Sequence, residues 1–278
     1  MTGVLLSFGH GYSAQALAAD LLPRGWQVIG TNRSGEVPQA GVETVAWPGT
    51  DMIPYLDRAS HLLISAGPDA AGDPVLNGLR TEIASRSFDW VGYLSTTGVY
   101  GDHQGGWVDE DTPLTPSTRR GRLRVAAEAA WQSMDLPLHI FRLAGIYGPG
   151  RGPFAKVRAG TARRVIKKNQ VFSRIHVEDI AQVLAASMAK PDPGAIYNLC
   201  DDEAAPPEDV IGFAAELLGV PVPEAVDFDT ADMTPMARSF YAESKRVRND
   251  RIKSELGVTL KYPDYRTGLR ALLAAENG

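Results

Sequence analysis

Three small residues near the N-terminus have the spacing that diphosphate binding needs. Gly9, Gly11 and Ala14, in the run GHGYSA, fall on a G-x-G-x-x-G/A pattern. The first glycine permits a tight turn, the second lets the backbone approach a diphosphate, and the alanine lets a helix lie close to a sheet. The apolar run Val4 to Phe8 precedes the turn and the run AQALAADLL follows it. This order reads as strand, turn and helix, with the free N–H groups of the helix start offered to the phosphates. A dinucleotide is the ligand such a turn takes. Tyr12 and Ser13 join Gly9 and Gly11 as candidate contacts. The alternative is a glycine turn that binds nothing.

The next strand, Trp26 to Thr31, ends in Asn32, Arg33 and Ser34. A site for NAD carries a carboxylate here to hold the ribose 2′-hydroxyl, yet the first acid is Glu36. Arg33 presents a fork of donors suited to a 2′-phosphate, and Asn32 or Ser34 can add a hydrogen bond. NADP is therefore expected ahead of NAD, with a solvated Arg33 as the alternative. Ser65 and Ala66, at the end of the run HLLIS, are further candidate cofactor contacts.

The elements around these residues alternate. Apolar runs at 42–46, 61–65, 90–95 and 138–144 read as further strands, and 74–85 and 121–133 as helices. Strands apolar on both faces belong to a parallel sheet covered on both sides. The expected fold class is α/β, a Rossmann-type doubly wound parallel sheet with a smaller C-terminal lobe. The dinucleotide-binding region is assigned to 1–145. Residues 146–278 are assigned mainly to a substrate-binding lobe, with some segments returning to the core. In that half, IYNLC and AVDFD read as strands and PPEDVIGFAAELLG as a helix, with proline at its start and glycine at its end. A final helix pair is expected over 243–256 and 263–275.

Four segments now carry a likeness. GHGYSAQALA, LSTTGVYG at 94–101, FRLAGIYGPGR at 141–151 and IHVEDIA at 175–181 occur in this order. With them the chain resembles the extended short-chain dehydrogenase/reductase superfamily, the NAD-dependent epimerases and dehydratases. YGDHQGGWVDEDTPLTP at 100–116 and SKRVRNDRI at 244–252 resemble an atypical subgroup of it. The resemblance implies a catalytic tyrosine, a lysine four residues later that holds the ribose, and a serine or threonine on the preceding strand. Thr96, four residues before Tyr100, matches the last. Aligned on Glu128, the lysine position holds Arg124 and the tyrosine position Arg120, and no tyrosine lies between Tyr100 and Tyr147. An arginine does not exchange protons near neutral pH. Arg124 is therefore a candidate for holding the ribose and Arg120 for holding an anion. Tyr100, Tyr147 and His176 are candidate substitute proton carriers. Alternatively, the tyrosines pack loops and His176 makes a structural hydrogen bond. Asp109, Glu110 and Asp111 read as a solvated turn, and Glu178 with Asp179 as a helix cap.

Bulk properties narrow the function classes. The net charge of −5 does not suit a general nucleic-acid binder. One cysteine, Cys200, excludes an internal disulfide, and the five histidines show no paired metal-ligand spacing. No metal is expected. Without a cleavable leader or an apolar run of about 18 residues, the expectation is a soluble cytoplasmic protein with no membrane contact. From Arg151 through Lys156, Arg158, Arg163, Arg164, Lys167 and Lys168 to Arg174 no acid intervenes, which suggests an anionic, nucleotide-sugar-like substrate or, alternatively, a solvated face. A homodimer is the default assembly. Two functions stand: an NAD(P)-dependent oxidoreductase or epimerase on a small anionic substrate, and a catalytically inactive NAD(P)-binding sensor or interaction protein.

Overall fold

Successive residues of the first apolar run leave opposite faces of a sheet, as a strand requires. Leu5 enters a core with Ala14, Leu17, Leu21, Ile180 and Leu184, while Leu6 enters another with Ile29, Val75, Trp131 and Ile140. The computed structural model describes residues 2–36 and 39–277. Its central sheet has seven parallel strands: β1 (Val4–Phe8), β2 (Gln27–Asn32), β3 (Val42–Ala46), β4 (His61–Ile64), β5 (Trp90–Thr96), β6 (Leu138–Leu143) and β7 (Ile196–Leu199). Their order is β7-β6-β5-β4-β1-β2-β3, so the winding reverses between β1 and β4. This is the expected doubly wound Rossmann-type fold, and a crevice at that reversal is where such sheets take ligands.

Helix α1 (Tyr12–Leu21) covers one face, while α2 (Pro74–Ala84) and α3 (Arg119–Gln132) contribute Val75, Leu79 and Trp131 to the other. Two later segments return to this core: α4 (Val177–Ala189) packs on α1, and β7 extends the sheet beside β6. A third apolar cluster includes Tyr147, Phe154, Val210, Ala214, Leu269 and Leu272, and draws on α5 (Pro207–Leu218) and α6 (Tyr265–Asn277).

The expected helix over 243–256 is not formed. Arg246–Val247 is a strand paired with Trp107–Val108, and helix is confined to Asp250–Ser254. Tertiary bonds override the local pattern: buried Asn249 donates to the Cys200 carbonyl at 2.8 Å and to Asp202 at 2.7 Å.

A row of polar side chains crosses the far half of the sheet. Ser95 of β5 is opposite Arg142 of β6, and Arg142 is opposite Asn198 of β7. Glu128 of α3 is buried beside them. Arg142 donates to its Oε2 at 2.9 Å and to its Oε1 at 3.3 Å, and Ser95 Oγ donates to Oε1 as well. Neither member of the ion pair exceeds 4% side-chain exposure, so each charge depends on the other for its solvation. Removing one partner strands a buried charge. We therefore expect Arg142→Met to lose about 3–5 kcal/mol of stability, and Arg142→Met combined with Glu128→Gln to lose less. Denaturant unfolding of both variants checks this, and a double variant less stable than the single would contradict it.

Candidate functional site

The glycine turn has the geometry of a diphosphate cradle. Gly9 sits at φ +82°, a region that favours glycine, and a Cβ there would lie 2.8 Å from the Ala66 nitrogen. Gly9 N–H donates to Thr31 Oγ1 at 3.0 Å, which ties the turn to β2. A Cβ on Gly11 would meet no atom closer than Gly9 O at 3.8 Å, so a side chain here would clash with nothing in the protein itself. No side chain caps α1, and N–H groups at such a helix start can bind an anion. These residues fit a dinucleotide. Ser65 and Ala66 lie under the turn, each donating its N–H to Phe8 O at 2.9 Å. Ser13 is buried, and Tyr12 donates its hydroxyl to Pro149 O at 2.9 Å, joining the turn to the loop after β6.

The loop after β2 folds on itself. Asn32 Oδ1 accepts from Gly35 N–H at 2.6 Å, and its Nδ2 donates to Glu36 O at 2.8 Å. Arg33 is exposed and has no hydrogen bond or ion pair to any described residue. Sequence reasoning missed His10. Its buried ring lies against Gly30, with Nε2 3.3 Å from Gln39 Oε1, and Gln39 Nε2 donates to Gln15 O at 3.1 Å. This chain straps the loop onto α1. Only the buried small residue Gly30 facing the turn hinted at it.

Helix α3 begins at Arg119 with Thr118 as its cap, so Arg120 and Arg124 stand one turn apart on one face. Gly121 allows this start, since a Cβ there would lie 2.8 Å from Gly98 O. Arg124 reaches the strand ends: its NH1 donates to Leu94 O at 2.5 Å and to the Tyr93 hydroxyl at 3.2 Å. Its NH2 lies 3.3 Å from where a Gly67 Cβ would be. Arg120 is exposed, with its guanidinium 5.1 Å from the Phe240 ring centroid. Thr96 Oγ1 accepts from Gly98 N–H at 3.1 Å and closes the turn after β5.

The two tyrosines considered as proton carriers are not brought to this cleft. The turn at 97–100 swings Tyr100 under the sheet, where it is fully buried, donates to Asn198 Oδ1 at 2.7 Å and accepts from Arg142 at 3.0 Å. Burial pushes its pKa up to about 12. Tyr147 is buried in the third apolar cluster, its hydroxyl 3.5 Å from Asp264 O, and burial raises its pKa further. His176 caps α4 by accepting from Glu178 N–H at 3.3 Å. Asp179 is not a helix cap as expected: its carboxylate accepts the N–H groups of Lys261 at 2.7 Å and Tyr262 at 3.1 Å. Glu110 is likewise not solvated. It is buried, and its Oε1 accepts the Asn198 N–H at 2.7 Å, sealing the open edge of β7.

Half of the basic stretch is engaged within the fold. Arg158 pairs with Glu276 at 2.6 Å, Arg174 donates to Phe172 O and Ala205 O, and Lys167 donates to Tyr241 O. Among the described residues, no cluster of His, Cys, Asp and Glu could hold a metal ion, and no helix is long and apolar enough to cross a membrane.

No family model matches the chain. A solved structure of a functionally unknown conserved protein from Silicibacter pomeroyi is 65% identical, with a TM-score of 0.95, covering 98% of this chain and 99% of that one. A candidate NAD-dependent epimerase/dehydratase from Methylobacillus flagellatus is 27% identical, with a TM-score of 0.75 and 99% of both chains covered. Protein YeeZ of Escherichia coli is 29% identical over 92% of this chain and 95% of its own length. Other structures, at 16–21% identity, share the fold alone, and among them are proteins held with NAD and with UDP-sugars. In fold and motifs the chain is similar to the NAD-dependent epimerase/dehydratase proteins of the extended short-chain dehydrogenases/reductases.

Burial lowers the pKa of His176 to about 4, below the ordinary imidazole value of about 6.5. Between these values the unfolded chain binds more protons, so this group makes stability fall as pH drops from 6.5 to 4. Glu110, Asp179 and Asp201, raised by burial, act in the opposite sense. The test is therefore a comparison with His176→Asn, which keeps a cap acceptor. Its stability should depend less steeply on acid over that window in unfolding titrations. An unchanged slope would contradict the assignment.

Proposed function

We propose that the chain binds NAD(P), with NADP preferred, and acts as an oxidoreductase or epimerase-like protein on a small anionic substrate. The observation that carries this reading is the cradle itself: a Gly11 uncrowded by the rest of the protein, uncapped N–H groups on α1, and Arg124 at the ends of β4 and β5. The bound cofactor supplies a hydride donor or acceptor. The chain's own residues do the rest. Gly9 to Ser13 hold the diphosphate through backbone N–H groups. Ser65 and Ala66 form the floor of the crevice. Arg33, without a partner among the described residues, takes the 2′-phosphate, while Asn32 shapes the loop that presents it. Arg124 holds the nicotinamide ribose in place of the family lysine. Thr96 orients a substrate oxygen.

A second reading, a dinucleotide-binding protein without turnover, is favoured by one observation. The hydroxyls of Tyr100 and Tyr147 are both engaged inside the protein, and arginine stands where the family tyrosine would supply a proton. Stopped-flow NADPH oxidation over keto acids and nucleotide sugars separates the two readings.

Cofactor binding itself is tested by calorimetry. Gly11→Val should abolish NADPH binding, because its side chain enters the space left for the diphosphate. Arg33→Ala should weaken NADPH about tenfold or more, the size of a charge-assisted contact, and leave NADH nearly unchanged. Wild-type affinity in the Gly11 variant would overturn the site, and equal effects on both cofactors would overturn the role of Arg33.

A further inference from the structure

Arg120 differs from Arg122 and Arg124 of the same helix. Arg124 is committed to Leu94 O and Tyr93, and Arg122 donates to Ser117 O at 2.7 Å. Lys245, close by in the chain segment that follows Phe240, is neutralised by Glu243 at 2.8 Å. Arg120 has no hydrogen bond or ion pair to any described residue, yet its guanidinium is held against an aromatic face. Phe240 is 48% exposed, an unusual state for a phenylalanine that packs into no core. Stacking fixes the plane of a guanidinium and leaves its in-plane N–H donors free. Arg120 is therefore a preorientated fork with one uncompensated positive charge. It stands one helical turn beyond Arg124, on the same face.

We infer that Arg120, on its Phe240 shelf, is the substrate-recognition residue and that its ligand is a carboxylate. This rests on the reading that Arg124 marks the nicotinamide end of a bound NAD(P). A planar monoanion matches both the charge and the shape of a single free fork. A phosphate dianion would call for further donors: Arg122, Arg124 and Lys245 are engaged, and Arg119, the next residue along the helix, does not share the face of Arg120. The substrate class is thus a small organic acid whose carboxylate is held at Arg120 and whose reacting carbon lies toward Thr96.

The test uses the full chain, with and without NADPH, titrated with oxamate, malonate, the neutral analogue malonamide and inorganic phosphate by ligand-observed NMR and calorimetry. Oxamate or malonate should bind saturably, and malonamide should not. Arg120→Gln should weaken carboxylate binding at least about tenfold, roughly 1.4 kcal/mol. Arg120→Lys should fall between the two, because it keeps the charge and loses the fork. Phe240→Ala should weaken it several-fold, and Arg119→Gln, an exposed neighbour, should have no effect. NADPH affinity should stay constant throughout. Three results would each overturn the inference: no saturable carboxylate binding, an equal loss in Arg119→Gln, or a preference for phosphate. If the wild type fails to bind NADPH but keeps Arg120-dependent carboxylate binding, the cofactor reading fails and the carboxylate site stands. If NADPH binds and carboxylates do not, only this inference fails.

Discussion

The buried pair Glu128–Arg142 is the interaction on which the site's geometry depends. Two charges inside a sheet–helix interface tolerate little displacement, because each needs the other's hydrogen bonds to replace lost water. The pair therefore sets where α3 lies along β5 and β6. Glu128 is one turn from Arg124 and two from Arg120, so fixing Glu128 aims Arg124 at the strand ends and sets Arg120 one turn beyond it, against Phe240. Gly121 completes the constraint by letting the first turn of α3 lie against Gly98. Through Tyr100 and Asn198 the same network extends to the outer strand, where Glu110 satisfies an edge N–H that would otherwise be open.

This network also explains why two distant sequence stretches belong together. The 100–116 segment covers the sheet edge, and the 244–252 segment covers it in turn. Trp107–Val108 pairs with Arg246–Val247, and Arg251 grips Asp111 at 2.8 Å and 3.0 Å. Neither stretch makes regular structure of any length alone. Each is stable because the other supplies its backbone partners.

Much of the core was legible in the chain because its signals are local. A glycine turn between an apolar run and a helix, and strands apolar on both faces, point to a doubly wound parallel sheet. What was not legible depends on partners far away in sequence. The acidic run 109–111 looks solvated until β7 presents an unpaired edge to Glu110. Tyr100 lies in a motif that suggests the reaction centre, yet the single turn at 97–100 decides which side of the sheet its hydroxyl meets. Residues 243–256 have a helical pattern, but the pairing of 246–247 and the buried amide of Asn249 outweigh it. The strap from His10 through Gln39 to Gln15 is equally non-local.

In the proposed reading two arginines, Arg120 and Arg124, stand where the resemblance implies a tyrosine–lysine pair, and that changes what the crevice can do. Arginine keeps the charge and reach needed to hold a ribose or an acid but gives up proton exchange. The account therefore turns on where a dinucleotide lies relative to Arg124. A crystal structure of the chain with NADPH tests it directly. The account predicts phosphate oxygens on the N–H groups at the start of α1, and the Arg124 guanidinium about 2.7–3.2 Å from a hydroxyl of the nicotinamide ribose. A dinucleotide bound elsewhere, or one on the glycine turn whose ribose is out of reach of Arg124, would contradict it.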